Sequence, residues 1–265
     1  MSLCILGEGI VRRLFSLFWI FIFLPLTCHA SVLAQVKANR AFQPGERLTY
    51  RLSWEFIPVG TAVLEVLPKT VLDRVDVCHF LVTVKSNAVI DKIYKVRDRI
   101  EGFADADMSH SVLYKMKQHE GSCRRDITVT FDWENMRAQY SNSGKKRTPV
   151  SISPGTFDLV SLFYAFRLQE LKENTELQAF VTDGKKLVIG RAQVFSEEKV
   201  RVAEHDYMTL LVEPDLKDAG GVFEHSENAK LRVWLTTDGR NIPVKVTCRA
   251  PVGHFIAELD SIEYR

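Results

Sequence analysis

The sequence predicts a mainly β chain: one antiparallel β-barrel-like or strongly curved sheet in a single domain, with one long helix at about 156–171. Three observations lead there. Apolar and polar residues alternate with a period of two in short segments over most of the chain. Turn-forming residues separate those segments at short intervals, without helical crossovers between them. A single stretch repeats its apolar residues at helical spacing. With 265 residues, 46% hydrophobic and 26% charged, the chain can bury a sizeable core, which excludes disordered, collagenous and polytopic membrane classes.

The N-terminus comes first. Arg12 and Arg13 precede an apolar block over 14–26 and the small polar run Thr27, Cys28, His29, Ala30 and Ser31, the order of a secretory signal. Cys28 and Ala30 are small enough for a cut after Ala30, so residues 1–30 read as a signal peptide and 31–265 as one exported domain. The protein is then expected in the periplasm. The alternative is an uncleaved anchor, because no charged residue occurs from Leu14 to Val36. Val11 weakens a twin-arginine reading, and Pro25 with Thr27 weakens lipidation at Cys28. The mature chain keeps Cys78, Cys123 and Cys248, enough for one disulfide at most.

From Leu48 the side chains of Leu48, Tyr50, Leu52, Trp54 and Phe56 share one face of a strand over 48–56. Ile57-Pro58-Val59-Gly60 turns the chain into a second strand over 61–67. Further strands are expected over 75–85, 96–103, 112–118 and 127–133, followed by a loop over 141–154. In the helix, Thr156 is the expected cap, Asp158 complements the positive end, and Phe157, Val160, Phe163 and then Phe166 or Arg167 recur at helical spacing. So apolar a helix must be covered on most sides. Asp183-Gly184 predicts a two-residue type I′ hairpin between strands over 177–181 and 186–194. Strands over 200–203 and 208–213, a loop over 214–224, and strands over 231–236, 242–248 and 255–264 complete the chain.

Chemistry is sparse. There is no Gly-x-Ser-x-Gly element, and the seven histidines never stand at a spacing that would bring two imidazoles to one metal. His119, Glu120 and Cys123 form the nearest local cluster and read as a polar hairpin tip. Net charge of +2 provides no long-range basic field, so no nucleic-acid partner is expected. Arg124-Arg125, Lys145-Lys146-Arg147 and Lys185-Lys186 fall at turns; they read as solvated hairpin ends, with anionic lipid headgroups as the sharper alternative.

Several motifs carry a resemblance. Phe42-Gln43-Pro44-Gly45-Glu46-Arg47-Leu48-Thr49-Tyr50, Ile57-Pro58-Val59-Gly60-Thr61-Ala62, Tyr94-Lys95-Val96 with Asp98, Phe157-Asp158-Leu159, Asp183-Gly184-Lys185-Lys186, Val233-Trp234-Leu235 and Ile242-Pro243-Val244 resemble the exported bacterial family DUF3108. The resemblance covers about residues 40–265 and implies a mostly β envelope protein with no catalytic residues to carry over.

The leading expectation is a non-enzymatic periplasmic or outer-membrane-associated protein that binds an apolar envelope component such as a lipid. Tyr50, Trp54, Trp234 and Phe163 are the candidate apolar ligand contacts, with the helix as plug or lid and no metal or cofactor. The alternatives are a structural or assembly partner in the envelope and an unrecognised hydrolase. A hollow interior would favour the first, and a cleft holding a perturbed carboxylate or histidine the last.

Overall fold

A computed structural model describes residues 41–215, 230–250 and 253–265. The expected signal peptide and most of the 214–224 loop lie outside these residues. The described chain forms β1 (Glu46–Trp54), β2 (Ile57–Leu72), β3 (Val75–Ser86), β4 (Arg97–Asp105), β5 (Ser111–Glu120), β6 (Cys123–Asp132), β7 (Arg137–Asn142), β8 (Lys145–Lys146), β9 (Val150–Ser151) and β10 (Thr156–Phe157). Then come α1 (Leu159–Arg167), β11 (Glu176–Thr182), β12 (Leu187–Val202), β13 (His205–Pro214), β14 (Lys230–Thr236), β15 (Pro243–Ala250) and β16 (Gly253–Tyr264).

All sixteen strands join one large curved sheet that does not close on itself. β16 pairs with β1, so the first and last strands meet mid-sheet, and the two edges fall on the neighbouring segments β7–β9 and β10. The alternation read from sequence decides which face is inside: Leu48, Tyr50 and Leu52 of β1 are buried, as are Ala62, Leu64 and Val66 of β2. Register shifts at Leu52/Ser53, Leu67/Thr70 and Val194/Glu197 add the local bends that curve such a sheet.

Several sequence expectations change. Ile57-Pro58-Val59-Gly60 is not the first turn: Trp54 pairs with Ile57, so Glu55 and Phe56 make the turn, with Glu55 at a φ of 53° and Phe56 facing solvent, and Ile57–Gly60 open β2. The helix is Leu159–Arg167 and not 156–171, because Thr156 and Phe157 are spent on β10, which pairs parallel with β11 in an otherwise antiparallel sheet. Its cap is Asp158, whose carboxylate accepts from Val160 N and Ser161 N. The stretch read as a loop holds β8 and β9, both only two residues long. The Asp183-Gly184 turn is not type I′. Thr182 pairs with Leu187, so four residues connect the strands, and within that connection only Gly184 has positive φ, at 79°. Asp183 Oδ1 instead accepts from Lys185 N and Lys186 N at 2.9 and 3.3 Å.

That turn bridges the open seam. A Cβ added to Gly184 would lie 2.9 Å from the Val129 methyls and 3.0 Å from Tyr140 Cβ. Glycine lets the β11–β12 hairpin rest on β6 and β7, so the two edges meet by side-chain packing where the hydrogen-bond ladder stops.

Candidate functional site

α1 lies on the inner face and is fixed at both ends. Asp158 exchanges hydrogen bonds with Ser111: its N–H donates to Ser111 Oγ at 2.7 Å and its Oδ2 accepts from that hydroxyl at 2.6 Å. Gly102 of β4 lets this end approach, since a Cβ there would stand 3.0 Å from Ser161 Oγ and Val160 Cβ. At the other end Asn241 Nδ2 donates to Arg167 O and Gln169 O, both at 2.9 Å. Arg167 is 1% exposed; its guanidinium donates to Glu46 at 2.5 and 3.1 Å, to Ala41 O at 2.6 Å and to Arg240 O at 3.2 Å. Phe42 and Tyr164 place their rings 5.7 and 5.6 Å from its carbon. A buried charge pair survives only when its hydrogen bonds are satisfied, as they are here. The helix is a braced strut.

It divides the interior into unlike halves. Towards β1–β4, Tyr164 stacks on Phe80 with centroids 3.9 Å apart, Phe42 meets both rings edge-on, and Tyr50 donates its hydroxyl to Pro243 O at 2.8 Å. Burial holds the Tyr50 phenol well above its ordinary pKa. Among the described residues, rings occupy this half. Towards β11–β14, Phe163 and Phe166 face Ala192, Val212, Val233 and Leu235 across an apolar slot of about 40 Å³. Beside the slot is a pocket of about 190 Å³ whose walls include Gln169, Glu170, Glu197 and Asn241. Arg167 borders both, and Leu210 of the pocket is the register partner of Leu235 of the slot. A polar pocket therefore adjoins an apolar slot.

Of the four candidate contacts, Phe163 alone lines this slot. Tyr50 is enclosed in the half occupied by rings. Trp54 ends β1 with its indole over Gly253, where any added Cβ would collide with it. Trp234 sits between inward-facing Val233 and Leu235 and thus points outward, its Nε1 donating to Glu198 Oε1 at 2.5 Å. The structure does not bring the four together. The slot's strand residues were legible only as members of alternating runs, since nothing local marks Ala192 or Val233 as cavity walls.

A second inward feature was missed from sequence. Asp98 and Glu120 are 4% and 2% exposed; Gln118 Nε2 donates to Glu120 Oε1 at 2.9 Å and His119 N to Asp98 Oδ1 at 2.8 Å. Burial, with the Asp98 carboxyl next to it, raises the Glu120 pKa to about 8, so Glu120 holds its proton at neutral pH. The available signal was strand parity, because Glu120 shares a face with Tyr114 and Met116. The same alternation separates His119 from Glu120, and no group of three or more His, Cys, Asp or Glu could hold a metal ion among the described residues. Cys78, Cys123 and Cys248 are all free thiols, and burial pushes Cys248 up to about 12.

A model of the family described as "Protein of unknown function (DUF3108)" matches residues 49–260. The chain belongs to the DUF3108 family. No curated protein matches this DUF3108 chain. Among solved structures it is similar to a β-barrel-like protein of another domain of unknown function, DUF1849, from Brucella abortus, with 11% identity, a TM-score of 0.51, and coverage of 83% of this chain and 97% of that one. That similarity shows a β-barrel-like fold. Two more matches are a candidate lipoprotein from Parabacteroides distasonis, at 7% identity, TM-score 0.36 and coverage of 83% and 95%, and a candidate exported protein from Bacteroides fragilis, at 10% identity, TM-score 0.30 and coverage of 91% and 98%.

Proposed function

We propose that this DUF3108 chain is a non-enzymatic, exported envelope protein that holds an apolar envelope component, such as the acyl end of a lipid, in the slot beside α1. The observation that carries this reading is the juxtaposition at Arg167 of the apolar slot, lined by Phe163, Ala192 and Val233, with the larger polar pocket. Each Å² of tail buried in the slot contributes about 25 cal/mol, and the pocket gives a headgroup hydrogen-bonding partners. The signal-like segment before Ser31 supports export to the periplasm. Asp98 and Glu120, the nearest approach to paired catalytic carboxyls, are enclosed and out of reach of a solute, which favours binding over hydrolysis.

Native mass spectrometry and lipid extraction of protein purified from the exported fraction test this reading. A stoichiometric single-chain or two-chain amphiphile supports it, and protein carrying no bound apolar mass contradicts it.

A further inference from the structure

The hairpin connections at one end of the sheet differ from those at the other. Alternation of antiparallel strands puts the β1–β2, β3–β4, β5–β6 and β7–β8 connections at one end. Two of them are fastened together, since Asn87 donates through Nδ2 to Pro58 O at 2.6 Å and through its backbone N–H to Val59 O at 2.9 Å. A third joins them through the Gly121 N–H, which donates to Lys95 O at 2.9 Å. On this tied platform Phe56 is 95% exposed, Ile93 76%, Val89 68% and Ile57 52%. Single exposed apolar residues are ordinary, but four on two fastened loops need a partner surface.

Charge indicates which surface. Lys85, Lys92, Lys95 and Arg124 are exposed around these apolar residues and enter no ion pair among the described residues. Arg147 and Lys185, 38 positions apart in sequence, converge at the seam, 5.5 and 5.0 Å from the Tyr140 ring. All three basic clusters noted in the sequence thus belong to connections at this end. The opposite end, in its connections and the strand residues next to them, exposes Asp73, Asp76, Asp107, Asp132, Glu134 and Glu204 against Arg74, Arg137 and Arg201. Among the described residues, the connections at one end are thus mainly basic, with Glu55 the exposed acid beside Phe56, and those at the other end mainly acidic.

We propose that the basic end docks on an anionic lipid bilayer, with Phe56, Ile57, Val89 and Ile93 entering the headgroup region and the surrounding lysines and arginines resting on lipid phosphates. The acidic end, repelled by the same surface, fixes the orientation. A protein partner would also cover apolar side chains, but projecting tips ringed by cations fit a soft, charged plane better than a flat protein interface. This docking does not depend on occupancy of the slot: it concerns the outside of one end, and either reading can fail alone.

The test uses the full chain with phosphatidylcholine vesicles, with and without phosphatidylglycerol, and with brominated acyl chains as a local quencher. In Phe56→Trp the added fluorescence, relative to wild type, should be quenched on phosphatidylglycerol vesicles only. In Glu204→Trp, at the acidic end, it should remain unquenched. Lys92→Glu with Lys95→Glu should weaken binding by at least about twentyfold, since each cation near an anionic surface is worth about fivefold, and added salt should weaken the wild type. The local readout isolates the tip from any membrane contact made by the apolar segment 14–26. An unquenched Phe56→Trp overturns the proposal and leaves the tip to a protein partner; equal quenching of Glu204→Trp also overturns it.

Discussion

The interior behind β1–β4 is closed by stacked rings and a bonded charge pair, whereas the interior behind β11–β14 is closed by small aliphatic side chains and leaves a slot. The same alternating pattern builds both halves, so the difference comes from residue size at inward positions and from α1. Successive helical residues point about 100° apart. Tyr164 therefore fills one half while its neighbour Phe163, edge-on to it at 5.1 Å, also lines the slot of the other. One short helix can seal part of a curved sheet and leave an apolar slot in another part.

The largest expected effect comes from detaching that divider. Arg167→Met leaves the buried Glu46 carboxylate without its partner and should cost roughly 3–5 kcal/mol, measured as a lowered urea midpoint. The double substitution Glu46→Leu with Arg167→Met should recover much of the loss. If Arg167→Met unfolds like the wild type, the helix is not held by this pair and the two halves are not separated as described.

Next is the seam that joins the halves. Gly184→Val places a β-branched residue at a φ of 79° with its Cβ against Val129 and Tyr140. Strain and overpacking together should cost about 2 kcal/mol or more. An unchanged midpoint would mean that the edges are not in contact through this turn.

A third effect depends on pH. Folded Glu120 has its pKa raised from 4.5 to about 8, so between those values the folded state keeps a proton that the unfolded state has released. Stability should fall as pH rises through that window. Glu120→Gln removes this contribution, so the variant should gain on the wild type as pH rises from about 4.5 to about 8. Parallel melting curves would show that Glu120, beside Asp98, does not hold a buried proton.

The strands were legible because one face of each is buried, and alternation reports that directly, as in Leu48, Tyr50 and Leu52. The helix was legible in position but too long, because Thr156 and Phe157 have no local mark distinguishing a helix start from a two-residue edge strand. The roles of Arg167 and Glu46 were not legible: their contact spans 121 residues and arises only when α1 packs across the sheet onto the start of β1. For Trp234 parity was the relevant clue, since its flanking Val233 and Leu235 already claim the inner face. The bulk of the indole suggested a ligand contact where period-two geometry pointed outward.

The central claim is that the aliphatic half accepts an apolar tail. It is tested most directly by titrating a fluorescent fatty acyl probe into wild type and Ala192→Leu, whose added carbons would occupy the slot between Ala192 and Phe163. The account predicts saturable binding to wild type, weakened by about tenfold in Ala192→Leu as buried methylene contacts are lost, and unchanged in Trp234→Phe on the outer face. Absence of saturable binding to wild type, or full affinity in Ala192→Leu, would contradict it.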